Sequence, residues 1–316
     1  MRDLPDDDGA GFSLRAYLQL LRFPNVFTAA ADVMMGYLVV AGTFQEYVPL
    51  GMLVIVSCCL YLGGMVFNDF FDREIDAVER PERPIPSGRV SVMAARKLGT
   101  MLFLVAMAVS LQLSWKTANI FPFAIAAGIA ALVLLYDKWL KHTPLGPIAM
   151  GGCRFLNVFL GMSLMQDAPS AMHWMLAGGL GAYVMGITVF ARGEAEISGR
   201  RRLIFATLIM LSGIVLVATA SRFVPEHQAY RLIGTPANWS LFWVLFTGLI
   251  LFRNGRAIVF PNPKYVQRAV KTAILSLIVI DAAASVPMSS LGMMSSILIL
   301  LLIVPATFLG RWIYST

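Results

Sequence analysis

Three aspartates share a spacing that brings their carboxylates to one face of a helix. Asp69, Asp72 and Asp76 stand at positions i, i+3 and i+7 of the segment NDFFDREID, and side chains at these positions lie along one stripe of an α-helix. Because like charges repel at this spacing, a bound cation is the natural compensation. Mg²⁺ suits the set best, since it prefers carboxylate oxygen and is often completed by substrate phosphates. The alternative is a solvated acidic loop balanced by Arg73 and Arg80.

A loop rich in arginine and proline follows the aspartates. Its sequence, RPERPIPSGR over residues 80–89, combines guanidinium groups with several prolines. Arginine binds phosphate through two parallel hydrogen bonds, and proline reduces the entropy lost when a loop closes over a ligand. The loop therefore indicates a phosphate-binding segment. A positively charged loop stiffened by proline is the alternative, and it accounts adequately for Arg89 and Arg96.

The composition of the chain indicates where these residues are held. Of its 316 residues 58% are hydrophobic and 14% are charged, whereas a soluble domain carries about 25% charged residues. A soluble protein is therefore excluded. The formal charge of +7 marks cytoplasmic loops in a membrane protein, so no nucleic-acid partner is expected. The three cysteines lie inside apolar runs and suggest no disulfide framework.

Apolar runs of membrane-spanning length predict an all-α polytopic transmembrane bundle with ten spans. Residues 1–24 form a cytoplasmic tail with an interfacial helix, and residues 25–316 form a single transmembrane domain. A cytoplasmic N-terminus puts most Lys and Arg residues inside, leaving Lys116, Arg222 and Arg231 outside and Arg154 within a span. We expect a prokaryotic inner (plasma) membrane, a cytoplasmic C-terminus and an active site at the cytoplasmic side. The predicted spans are 25–42, 48–68, 93–113, 118–136, 145–165, 173–191, 203–221, 239–252, 269–286 and 292–313.

The pattern of Asn68, Asp69, Asp72 and Asp76 followed by RPIPSG at residues 83–88 resembles the UbiA superfamily of intramembrane prenyltransferases. The resemblance implies an all-helical fold, usually of nine spans around a central cavity. It also implies Mg²⁺-dependent transfer of a prenyl group from an allylic diphosphate to an acceptor. Metal binding and catalysis are carried over to the three aspartates. Substrate binding is carried over to Asn68, Arg83 and Ser87.

The resemblance also implies a second acidic motif between the sixth and seventh spans. The sequence there is FARGEAEISG over residues 190–199, where the family typically has two aspartates four residues apart. Glu194 and Glu196 are assigned to a second metal ion by resemblance, and Arg192 to the diphosphate. A charged helix end is the alternative for each of the three.

The loop between the fourth and fifth spans reads YDKWLK over residues 136–141. It resembles a family segment in which a lysine contacts the diphosphate. Lys138 is the predicted catalytic lysine, with Asp137 placed to orient it. Lys141 is interpreted as an ordinary basic residue of a cytoplasmic loop.

Polar residues inside the predicted spans mark a pocket. Arg154 and Asn157 share a helix face at i and i+3, and a buried arginine in a membrane requires a cavity or a partner. Both are predicted to bind the acceptor or the diphosphate. A structural bridge from Arg154 to Asp32 or Asp281 is an equally open alternative. Asn25 and Asp32, seven residues apart, are predicted to line the same pocket.

The predicted function is therefore Mg²⁺-dependent prenyl transfer within the membrane. The expected partners are a prenyl diphosphate donor, a small or lipid-like acceptor and membrane lipids. Two alternatives remain: a catalytically altered family member that acts in binding or assembly, and a secondary transporter, whose bundle would also contain intramembrane charges.

Overall fold

The computed structural model describes residues 13–192, 199–224, 236–289 and 293–314. Within these ranges the regular structure is helical throughout and contains no strand, which confirms the predicted all-α fold. The α-helices are α1 (Leu14–Leu20), α2 (Val26–Ala41), α3 (Tyr47–Glu79), α4 (Val92–Thr117), α5 (Phe121–Lys138), α6 (Gly146–Gly161), α7 (Ala171–Ala191), α8 (Arg200–Ala220), α9 (Pro236–Val259), α10 (Pro263–Ser285), α11 (Met293–Leu300) and α12 (Ile303–Tyr314).

Nine helical segments of the described chain are long and apolar enough to cross a membrane. They coincide with nine of the ten predicted spans. The remaining span, 145–165, forms α6, whose 16 residues extend about 24 Å between α5 and α7. The shortest predicted span, 239–252, lies inside the 24-residue helix α9. The chain is thus an integral, multi-pass membrane protein.

The last predicted span is divided into two helices at Leu301 and Leu302. Pro305 stands at the third position of α12. Proline has no N–H to donate to the carbonyl four residues earlier, and its ring clashes with that carbonyl. For Pro305 this is the carbonyl of Leu301. The break therefore follows from the position of Pro305.

The first and last described helices meet at one end of the bundle. Gln19 of α1 donates a hydrogen bond to the Ile313 carbonyl of α12 at 3.0 Å, and Arg15 donates to the same oxygen at 3.5 Å. These side chains satisfy a carbonyl that a helix end would leave unpaired. The two helices therefore lie at the same end of the bundle.

Helix α2 lies in the interior of the bundle, between α3, α6 and α10. Its close contact with α6 depends on two glycines. A Cβ atom on Gly36 would lie 2.5 Å from the Val158 carbonyl oxygen, and one on Gly161 would lie 2.5 Å from the Val33 carbonyl oxygen. Small residues allow such backbone approach in membrane bundles. The two glycines therefore bring the polar residues of α2 and α6 within hydrogen-bonding distance.

We expect Gly161→Ala to destabilise the protein by about 1–3 kcal/mol, because overpacking a close helix contact forces the backbones apart. Thermal unfolding of the purified protein in nanodiscs measures the effect. Gly178→Ala is the matched control, since a Cβ atom there meets nothing within 4 Å. Equal melting temperatures for the two variants would contradict the proposed role of the α2–α6 contact.

Candidate active site

Helix α3 carries the three aspartates without interruption, because the segment from Met65 to Glu79 contains no proline or glycine. The predicted helical stripe is therefore present. Asp69 and Asp76 are each 4% exposed, and Asp72 is half-buried and lines a cavity.

Cationic side chains are paired with all three aspartates. Arg83 Nη1 lies 2.6 Å from Asp76 Oδ2 and 3.4 Å from Asp69 Oδ1. Arg22 Nη2 lies 3.1 Å from the same Asp69 oxygen. Lys141 Nζ forms an ion pair with Asp72. Two carboxylates thus converge on one cationic nitrogen, which shows that their oxygens can share a positive group.

The residues present fit the predicted Mg²⁺ in a particular way. Within the described ranges, no three His, Cys, Asp or Glu side chains group closely enough to form a cage for a metal ion. Mg²⁺ does not require one, since it is commonly bound by one or two carboxylates together with waters and substrate phosphates. The convergence of Asp69 and Asp76 on Arg83 supplies such a pair, beside Asp72.

Arg22 is a site residue that the sequence reasoning did not identify. It precedes the 3-10 helix Phe23–Asn25 and has φ 44° and ψ 44°, the left-handed conformation. Non-glycine residues in this region carry strain and cluster at functional sites. The sequence feature that could have identified Arg22 is its position three residues before Asn25, directly ahead of the first span. Asn25 itself lines the cavity, as predicted.

The structure brings Lys141, not Lys138, to the aspartates. Lys138 is the last residue of α5, and its Nζ lies 4.4 Å from the centre of the Trp139 ring. Lys141 lies in the 3-10 helix Leu140–His142, which turns its side chain back to Asp72. Asp137 is 3% exposed and accepts a hydrogen bond from Asn68 Nδ2 at 3.1 Å. Asp137 therefore positions Asn68.

Arg192 holds the loop that carries Lys141. Its Nη2 donates to the Thr143 carbonyl at 2.5 Å and to the Lys141 carbonyl at 3.3 Å. These contacts fix the loop and do not place the guanidinium in the cavity lining. The assignment of Arg192 to the diphosphate remains a prediction. Glu194 and Glu196, assigned to a second metal, lie outside the described residues.

Ser87 shapes the arginine- and proline-rich loop. Its hydroxyl donates to the Arg83 carbonyl at 2.6 Å and accepts from Arg89 Nε at 3.0 Å. Gly88 follows with φ 75°, a conformation that favours glycine. The structure thus places Ser87 in the turn that presents Arg83. It does not bring Ser87 to the cavity, where the prediction had it bind substrate.

A cavity of about 770 Å³ extends from the aspartates into the bundle. Its polar opening, here called the mouth, is lined by Arg22, Asp72, Asp76, Arg80 and Arg83. Its inner end, here called the floor, is formed by Thr28, Ser57, Arg154 and Asn157. Ser57 precedes Asp69 by twelve residues on α3, which corresponds to about 18 Å along the helix. The walls between mouth and floor include Leu60, Ile129, Val133, Ile187 and Leu277.

The floor is a network of buried polar groups. Arg154 Nε lies 2.7 Å from Asp32 Oδ2, and Asn157 Nδ2 donates to the same oxygen at 2.8 Å. Ser57 donates to Asn157 Oδ1 at 2.7 Å. Arg154 therefore forms the structural bridge to Asp32 and also lines the cavity. Its contact with the acceptor or the diphosphate remains a prediction. Asp32 is fully buried behind the floor instead of lining the pocket.

Known sequences resemble this chain over most of its length. The sequence model of the UbiA prenyltransferase family matches residues 29–277. Digeranylgeranylglyceryl phosphate synthase of Saccharolobus solfataricus is 37% identical over 166 residues, which are 52% of this chain and 55% of that protein. The synthase of Methanoculleus marisnigri is 28% identical over 274 residues, covering 83% of this chain and 94% of its own length.

Solved structures show the same fold. A structure of digeranylgeranylglyceryl phosphate synthase in membranes superposes with a TM-score of 0.62 at 21% identity, covering 87% of this chain and 98% of that one. A UbiA homologue from Archaeoglobus fulgidus, bound to DMAPP and Mg²⁺, gives 0.58 at 13% identity, covering 85% and 98%. The family match spans more than three quarters of the sequence and confirms the resemblance carried by the aspartates and the RPIPSG loop. The chain belongs to the UbiA prenyltransferase family.

Proposed function

We propose that this prenyltransferase moves a prenyl group from an allylic diphosphate to a hydroxyl-bearing acceptor, with Mg²⁺ as cofactor. The observation that carries the proposal is the division of one cavity into a charged mouth and apolar walls. An allylic diphosphate has the same division, since a charged head joins an apolar tail. Relatives of this chain are named digeranylgeranylglyceryl phosphate synthase, a name that describes prenyl groups joined to glyceryl phosphate. This supports an acceptor that reacts through a hydroxyl oxygen.

The mouth provides groups of both signs for the diphosphate. Asp69 and Asp76 are the residues that would hold Mg²⁺, with Asp72 beside them. When bound, the metal supplies Lewis-acid neutralisation of the charge on the leaving diphosphate. Arg22, Arg83 and Lys141 already lie at the aspartates. Arg22 and Arg83 line the cavity and would donate charge-assisted hydrogen bonds to phosphate oxygens, which stabilise negative charge as it develops. Lys141 lies behind Asp72 and would act through that ion pair.

The walls protect the reacting carbon. Ionisation of the allylic C–O bond leaves a carbocation that water would capture. Buried aliphatic side chains such as Ile129 and Ile187 line the path below the mouth and exclude water from it. Tyr61 and Tyr136 also line the cavity, and aromatic faces attract a cation. The walls thus favour capture by a bound acceptor over hydrolysis.

The reaction balances as a substitution at carbon. A bond forms between the acceptor oxygen and the first prenyl carbon, and the bond from that carbon to diphosphate breaks. The acceptor hydroxyl loses its proton, and diphosphate leaves with the bonding electrons. No covalent intermediate on the protein is needed. The basic residues around the mouth, including Arg80 and Arg89, support a cytoplasmic location of this end of the cavity.

We expect Asp72→Asn and Asp76→Asn to lower kcat/KM by at least about 100-fold, because removing one electrostatic contact to a transition state commonly costs that much. Mg²⁺-dependent release of diphosphate from a panel of allylic diphosphates in nanodiscs measures the loss. Glu74→Gln is the control on the same helix, since its side chain is 82% exposed and pairs with Arg73. Full activity in both aspartate variants would contradict the proposed site.

The two lysines of the 136–141 loop provide a second test. We expect Lys141→Gln to raise the KM for the donor by about tenfold or more, because Lys141 pairs with Asp72 at the mouth. Lys138→Gln should leave it nearly unchanged, since that ammonium group lies over Trp139. Steady-state kinetics with one donor at varied concentration separates the two. A raised KM in Lys138→Gln alone would instead support Lys138 as the diphosphate-binding residue.

A further inference from the structure

A second group of cations lies where α8 begins, α9 ends and α10 begins. The end of α7 lies at the same level, since one apolar cluster includes Phe190, Leu203, Ala257 and Val266, which belong to α7, α8, α9 and α10 in turn. Because Arg192 at the end of α7 holds the loop of Lys141, this is the mouth end of the bundle. The cations, here called the basic patch, are Arg200, Arg201, Arg202, Arg253, Arg256, Lys264, Arg268 and Lys271.

Contacts between the helices make the basic patch one surface. Arg200 Nη2 donates a hydrogen bond to the Val259 carbonyl at 3.2 Å, which joins the start of α8 to the end of α9. The guanidinium carbon of Arg256 lies 5.1 Å from the centre of the Tyr265 ring on α10. Arg268 follows Tyr265 by three positions and therefore shares its face of α10. Cations of all three helices thus lie side by side.

The basic patch has little opposing charge. Within residues 199–224 and 236–289, no Lys or Arg side chain pairs with a described carboxylate. The one Asp or Glu in these ranges, Asp281, is fully buried. Glu194 and Glu196 precede the patch in sequence and lie outside the described residues. Even if both opposed it, six of its eight positive charges would remain without a counter-charge from this part of the chain.

The preference for basic residues in cytoplasmic loops does not account for Arg253. This residue stands inside the spanning helix α9, six residues before its end at Val259, which corresponds to about 9 Å. Its side chain is exposed, as is that of the preceding Phe252. An arginine on the lipid-facing side of a helix extends its charge toward the head groups. An anionic head group is therefore its natural partner.

An exposed apolar stripe leads along α9 to the basic patch. Leu245, Leu249, Phe252 and Arg256 stand at i, i+4, i+7 and i+11, which places them on one helix face. The three apolar side chains are exposed, and Arg256 is exposed at the end of the stripe. A lipid has the same arrangement, since its phosphate joins long hydrocarbon chains. A free phosphate ion would use only the cations.

We propose that the basic patch binds the head group of an anionic membrane lipid, with its phosphate at Arg253 and Arg256 and its chains along the stripe of Leu245, Leu249 and Phe252. Clusters of basic residues at the ends of membrane helices attract anionic head groups. None of the eight residues of the patch lines the cavity. The lipid site is therefore separate from the mouth, and the lipid is not a substrate of the proposed reaction.

Retention of lipids by the full chain tests the proposal without turnover. Native mass spectrometry in a non-ionic detergent measures binding of dioleoyl phosphatidylglycerol and dioleoyl phosphatidylcholine, which have the same chains and differ in net charge. We expect the wild-type chain to bind phosphatidylglycerol at least about tenfold more tightly, because each basic residue near an anionic lipid contributes about a factor of five.

Variants of the basic patch locate the binding site. Arg253→Gln, Arg256→Gln should weaken phosphatidylglycerol at least about tenfold and leave phosphatidylcholine unchanged, since two charges are lost. Arg253→Lys, Arg256→Lys keeps both charges and should retain the preference within about threefold. The matched control Arg96→Gln, Lys97→Gln removes two exposed basic residues near the start of α4 and should leave the preference unchanged.

A second pair of substitutions covers the loss of ring contacts in the arginine variant. Arg256 lies over Phe252 and Tyr265, so its replacement affects packing as well as charge. Lys264→Gln, Lys271→Gln removes two exposed charges of the patch on α10 and should also weaken phosphatidylglycerol, by at least about fivefold. Thermal unfolding identifies any variant that is not folded.

The possible outcomes separate the lipid site from its alternatives. Equal binding of the two lipids by the wild-type chain would overturn the proposal, as would a preference that persists in both glutamine variants of the patch. An equal loss in the α4 control would overturn the location of the site. Displacement of phosphatidylglycerol by a tenfold excess of inorganic phosphate would contradict a lipid ligand, because a free anion does not use the apolar stripe.

Discussion

The pairing of Asp32, Asp69, Asp72 and Asp76 with cationic side chains is the constraint on which the rest of the structure depends. A charge within a bilayer is costly unless a partner or a polar cavity compensates for it. Asp32 is paired with Arg154, Asp69 with Arg22 and Arg83, and Asp72 with Lys141. Each pair joins different segments of the chain. The ion pairs therefore fix α2 against α6, and they fix both connecting loops against α3.

These pairs also give the cavity its direction. The mouth combines half-buried and buried charges at the end of α3, and the floor is a buried polar network about 18 Å deeper. Apolar walls separate the two polar ends. The charged mouth and the apolar walls therefore match the charged head and apolar tail of the proposed donor.

Helix packing and loop anchoring hold this arrangement in place. The close approach of α2 and α6 at Gly36 and Gly161 brings Asp32 within reach of Arg154. At the mouth, Arg192 of the α7 end binds carbonyls of the loop that carries Lys141. The other loop is held by Arg89, which donates to Gln19 of α1 at 2.8 Å. Residues outside the cavity lining thus determine where the cationic groups beside the aspartates lie.

The sequence by itself determined the local features. Long apolar runs predicted the spans, because a helix satisfies all its backbone groups within one segment and can therefore cross a bilayer core. The i, i+3, i+7 spacing placed the aspartates on one stripe of α3. The RPIPSG loop beside that stripe was enough to identify the family. Tertiary structure alone decided which charges pair. Lys141, and not Lys138, pairs with Asp72, and Arg22 pairs with Asp69. Arg154 bridges to Asp32 while it lines the cavity. Helical periodicity fixes which residues share a face, whereas the direction of a loop side chain and the pairing of distant charges depend on how the helices pack.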